Sequence, residues 1–117
     1  MVLLDTVKSL IDNIPNTRVF LGSKPSTPDS VVVIYLTGGM AKGLTESHLA
    51  RPTFQVRVRA NTYTAGIAMC EAIDAVLHGY TGAQTLLIQN MGYINDLGRD
   101  ENNRPEFTMN YTAYYLD

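Results

Sequence analysis

"TFQVRVRAN" at residues 53–61 alternates without a break: Phe54, Val56, Val58 and Ala60 project to one side, and Gln55, Arg57, Arg59 and Asn61 to the other. Successive side chains of a strand point to opposite faces, so a period of two marks a strand with one apolar and one polar face. Directly after it the period changes. Met69, Cys70, Ile73, Val76, Leu77 and Tyr80 recur at helical spacing opposite Glu71, Asp74 and His78, while Asn61 or Thr62 stands where a helix start needs an oxygen acceptor. A one-sided strand that passes through a cap into an amphipathic helix predicts a sheet with helices laid on one face.

The flanking segments extend this pattern. Leu3, Val7, Leu10, Ile11 and Ile14 fall three or four apart and predict an N-terminal helix ended by Pro15. "TRVFLG" at 17–22 is a short strand, "SKPSTPDS" at 23–30 a surface loop, and "VVVIYL" at 31–36 a β-branched, largely buried strand. "TGGMAKGLTESHLAR" at 37–51 has no sustained period and reads as a long connection, of the kind that is functional or mobile in small domains. Gly79 and Gly82 punctuate the end of the second helix. "AQTLLIQNM" at 83–91 predicts a fourth strand. In the closing strand Phe107, Met109, Tyr111, Ala113 and Tyr115 share one face, and Thr108, Asn110, Thr112 and Tyr114 the other. The expected fold is α+β: a largely antiparallel or mixed sheet of about five strands with two helices on one face, in the order α-β-β-β-α-β-β. A length of 117 residues with 45% hydrophobic content suits a single domain over residues 1–117.

A formal net charge of −2 and 17% charged residues are too mild for a strongly nucleic-acid-binding or disordered chain. The single Cys70 sits in the apolar helical stripe, which excludes an intramolecular disulfide and reads as core packing. "MVLLDTVKSL" is broken by Asp5 and Lys8, so it carries no signal-peptide core, and no stretch reaches the length of a membrane span. The chain is expected to be soluble, made in the cytoplasm and unprocessed.

Candidate chemistry is sparse. Asp96, Asp100 and Glu101 are oxygen donors that a hard cation accepts, but in "GRDENNR" at 98–104 aspartate and asparagine equally hold a turn between two strands. His48 and His78 lie far apart in sequence, and Cys70 has no histidine nearby to activate it. "TGGMAKG" has glycines and a lysine without the spacing of a phosphate-binding loop. No catalytic, metal or cofactor site is therefore expected. Arg57 and Arg59 share an exposed strand face, suited to ion pairing between subunits or, as an alternative, to nucleic-acid phosphates. Arg99 and Arg104 bracket the acidic block and can pair within the turn or across an interface. These residues, with Asp100 and Glu101 in the turn and Lys42 and His48 in the long connection, form the candidate interface set.

"RPTFQVRVRANTYTAGIAMCEAIDAVLHG" at 51–79, followed by "LGRDENNRPEFTMNYTAYYL" at 97–116, resembles the small minor capsid or tail terminator (tail completion) proteins of long-tailed bacteriophages. In that family an arginine-rich alternating strand leads into an amphipathic helix and a glycine turn. A hairpin strand, a Gly-Arg-Asp-rich turn and a C-terminal strand reading like "REFTLN" follow, here "RPEFTMN" with an inserted Pro105. The resemblance covers residues 51–116. It implies a virion structural protein that forms a ring, commonly a hexamer, on the head-proximal end of the tail tube. Such a ring stops tube polymerisation and offers a docking surface to the head. The implied partners are further copies of the chain, the tail tube protein and the head completion or connector proteins. No membrane and no specific nucleic acid are implied. A head–tail joining protein, another minor capsid protein or a tail tube subunit is the neighbouring reading.

Overall fold

The computed structural model describes residues 2–15, 17–23, 29–40 and 49–116. Among these the elements run α1 (Val2–Asp12), β1 (Val19–Leu21), β2 (Val31–Met40), β3 (Leu49–Arg59), α2 (Tyr63–Leu77), β4 (Thr85–Asn90), β5 (Asn95–Arg99) and β6 (Pro105–Leu116). The strands form one sheet in the order β1-β2-β3-β6-β4, and β5 lies alongside the first part of β6. β1 runs parallel to β2 and every other pairing is antiparallel, so the sheet is mixed.

The alternation of β3 does what its period requires. Phe54, Val56 and Val58 are fully buried, and opposite them on β6 stand Tyr111, Met109 and Phe107, also fully buried. Leu3, Val7 and Ile11 from α1 and Cys70, Ile73 and Leu77 from α2 close the same core. Each fully buried large apolar side chain contributes roughly 1.5–3 kcal/mol, so the helices are held by their stripes more than by propensity. Thr62 is the residue that caps α2, its Oγ1 accepting from Ala65 N at 3.1 Å. No helix among the described residues is long and apolar enough to cross a membrane.

Three details depart from the sequence reading. β5 is an additional strand, exposed along its whole length. Its side chains carry no alternation to detect; it forms because β6 extends beyond the reach of β4 and its first residues pair with Asn95–Arg99. The long connection also contains regular structure: β2 continues to Met40 and β3 begins at Leu49. Lys42 and His48 lie outside the described residues. Gly38 and Gly39 hold φ of 100° and 141°, and the β2–β3 register shifts between Leu36 and Gly38. A bulge built on glycine bends a strand without ending it, which is why a glycine pair here does not terminate β2.

Beyond Ile34 the β2 strand loses its β1 neighbour and pairs with β3 alone. From Leu36 to Met40 every β2 residue is exposed, with Leu36 at 48% and Met40 at 66%. This part of the sheet carries an apolar edge into solvent.

Candidate functional site

The turn "GRDENNR" is organised by one carboxylate. Asp100 Oδ1 accepts from the backbone N–H groups of Asn102 at 3.0 Å and Arg104 at 2.8 Å, while Asp100 Oδ2 accepts from Arg104 Nε at 2.9 Å. The backbone closes the same loop: Asp100 N donates to Arg104 O and Asn103 N donates to Asp100 O, both at 2.9 Å. Asn103 sits at φ 62° and Gly98 at φ 85°, left-handed conformations that asparagine and glycine adopt most readily. Asp96 Oδ1 accepts from Gly98 N at 2.7 Å, so this aspartate also serves the turn.

The cluster then reaches across the fold. Arg104 Nη1 donates to Asp29 Oδ1 at 3.1 Å, and Arg59 Nε donates to the Asp29 backbone carbonyl at 3.0 Å. Arg59 at the end of β3 and Arg104 just before β6 thereby clamp the chain just before β2. Arg59 is 1% exposed, so the expectation of a solvent-facing side chain fails for it. Alternation correctly places Arg59 opposite the core, but Asp29 and Arg104 cover it there. Burial and the adjacent Arg104 charge pull the Arg59 guanidinium below its ordinary value. Burial alone would raise the Asp100 carboxyl; the Arg104 hydrogen bonds and charge outweigh it and hold Asp100 below its usual range. Burial opposes the Arg104 charge, yet its bonds to Asp100 and Asp29 leave the guanidinium above its ordinary value.

The other residues of the set are placed differently. Arg99 Nη1 donates to Asn103 O at 2.9 Å and braces the turn from outside. Glu101 is exposed at the apex. Arg57 lies on the helix-free face, opposite Val33 on β2 and Thr108 on β6. Both of those neighbours are buried, and Arg57 Nε is itself buried without a hydrogen-bond partner.

A second polar group, illegible in the sequence, fastens α2 to the sheet. Tyr111 Oη donates to Asp74 Oδ1 at 2.8 Å, and Asn90 Nδ2 donates to the same oxygen at 2.7 Å. His78 Nδ1 accepts from Asn90 N at 3.0 Å, which fixes the end of β4 against the end of the helix. Helical periodicity places Asp74 on the solvent side, and the structure turns it to these donors. A cleft of about 250 Å³ opens beside it, lined by Glu71, Asp74, Ala75, Asn90, Tyr93, Ile94 and Met109. Burial, and then Asp74, push the Tyr111 hydroxyl up. Burial, followed by the Glu71 charge, pushes the Cys70 thiol up to about 12, which keeps it protonated and poor as a nucleophile.

Asp96, Asp100 and Glu101 do not converge on a common point: two hold turn amides and the third faces solvent. Among the described residues no group of three or more His, Cys, Asp or Glu side chains could hold a metal ion. The arrangement supplies two internal clamps, an exposed hairpin apex and an apolar sheet edge.

No curated protein matches this sequence. A family model described as bacteriophage tail terminator protein matches residues 3–117, a span that takes in all of the described strands and all but the first residue of α1. The chain therefore belongs to the bacteriophage tail terminator protein family, a structural component of the phage tail.

Proposed function

We propose that this chain assembles into a closed ring, six copies being the expected number, that caps the head-proximal end of the tail tube. The ring stops tube polymerisation and provides the docking surface for the head completion proteins. The observation that carries this reading beyond family membership is the free end of β2. Leu36 and Met40 are exposed on a strand whose outer edge, from Tyr35 to Met40, has no partner strand among the described residues. An exposed apolar edge with unpaired backbone groups is a liability in a monomer and an asset in an assembly. Ring closure requires one surface of each subunit to fit a different surface of its neighbour, and the β2 edge and the β5–β6 hairpin are two such different surfaces.

The test is the mass of the purified protein by light scattering, alone and mixed with short tail tubes, followed by imaging of the tube ends. Ring-sized mass, or added density at one tube end with elongation arrested, supports the reading. A protein that stays monomeric and leaves tubes extending overturns it and shifts the role to head–tail joining.

A further inference from the structure

Arg57 poses a question that the fold of one subunit leaves unanswered. Its Nε is buried and bonded to nothing, although buried polar groups are satisfied in the great majority of native structures. Gln55, on the same face, turns its amide nitrogen to Asn110 Oδ1 at 3.3 Å, and none of the described residues accepts from Arg57 Nε. An orphaned Nε beside buried Val33 and Thr108 costs free energy in the monomer, while the terminal nitrogens of the same half-buried guanidinium are not enclosed and stay open to an acceptor from outside. The acceptor that matches those terminal nitrogens is a carboxylate, which takes two parallel N–H···O bonds from them.

The same chain displays the complementary group. Glu101 projects from the apex of the β5–β6 hairpin, exposed, and among the described residues no hydrogen bond or ion pair engages it. The hairpin that carries it is preorganised. Asp100 and Arg104 lock its base with side chains only 12% and 10% exposed, and Arg99 braces its flank. A rigid, convex acid and a half-buried base, each without a partner of its own, are the two unlike surfaces that a head-to-tail contact needs. We propose that Glu101 of one copy of this chain docks on Arg57 of the next. This rests on the ring reading above and names the contact that would close it. A phosphate backbone fits less well, because Arg59 and Arg104 are already clamped on Asp29 and nucleic-acid binding draws on several available cations.

Charge exchange tests the pairing by oligomer mass. Arg57→Glu and Glu101→Arg should each lose the ring when alone. Mixed one to one, they should recover it with the two variants alternating, since each junction then pairs unlike charges. Arg57→Met guards against misfolding: it removes the orphaned donor, so the variant should melt no lower than wild type while assembly falls at least tenfold. If wild type forms no ring, alone or on tail tubes, the ring reading itself fails. If wild type forms rings and Arg57→Met or Glu101→Arg forms them equally well, this pairing is wrong and the ring reading stands. Rings intact in Arg57→Met but with salt-sensitive DNA binding lost would overturn it in favour of a phosphate partner.

Discussion

Replacing Gly66 by alanine is expected to destabilise this protein, although the same change in an exposed helix stabilises. Gly66 is a buried residue early in α2 that faces the Phe107 ring on β6. A Cβ added there overlaps Phe107 Cε2 and stands 2.9 Å from its Cδ2 and 3.2 Å from its Cζ. Phe107 cannot easily withdraw, because it is fully buried and its ring is held edge-on by Tyr63, with centroids 5.1 Å apart and planes at 72°. Two effects oppose. Alanine is favoured over glycine inside a helix by about 1 kcal/mol. Overpacking a close-packed core costs roughly 1–3 kcal/mol, and the upper part of that range applies where the obstacle is a pinned ring. The net loss is about 1–2 kcal/mol, which at a urea m-value near 2 kcal/mol/M lowers the unfolding midpoint by roughly 0.5–1 M. Phe107→Leu supplies the control: measured in a double-mutant cycle, Gly66→Ala should cost less on the leucine background. A Gly66→Ala midpoint at or above wild type would refute the steric account of how α2 seats on the sheet.

Tyr111→Phe removes a hydrogen bond to the Asp74 carboxylate while leaving the Asn90 donor in place, and should cost about 1.5–2 kcal/mol in urea unfolding. Asp100→Asn should change the pH dependence of stability. The folded Asp100 carboxyl lies below its ordinary 3.8, so its contribution is present above that value and lost as pH falls through the folded one. The variant should therefore show a flatter acid limb in urea midpoints taken from about pH 3 to pH 7, and an acid limb unchanged from wild type would count against Asp100 as the turn's anchor. Replacing Leu36 and Met40 together by serine should leave stability within about 0.5 kcal/mol, as exposed sites do, yet abolish capping of tail tubes. Intact capping would remove the β2 edge from the assembly surface.

The legible parts of the fold are those where one local period maps onto one buried face. The alternation of residues 53–61 and 107–115 and the helical stripes of α1 and α2 name the apolar core, because the same core lies under every turn of the pattern. Leu10, Ile14, Met69, Val76 and Tyr80 of the stripes pack against it only partly buried, and the alternation does not report the burial of Arg59 or Thr108. The turn was legible as well, since the aspartate, asparagine and glycine of "GRDENNR" have intrinsic backbone preferences that need no tertiary context. What each charged residue in it does was not. Arg104 and Arg59 meet at Asp29, which lies far from both in sequence, and no period reports a meeting of that kind.

Sequence by itself determined which apolar side chains face inward, that α2 starts from a cap at Asn61 or Thr62 and that residues 98–104 turn, because these follow from steric and hydrogen-bonding preferences a few residues wide; the structure chose Thr62. Only the tertiary structure decided that Asn95–Arg99 is a strand, that Arg59 is buried and that Asp74 is tied to Tyr111 and Asn90. Strand pairing and buried polar contacts are made with partners supplied by distant segments, so their free energy exists only once the chain has brought those segments together.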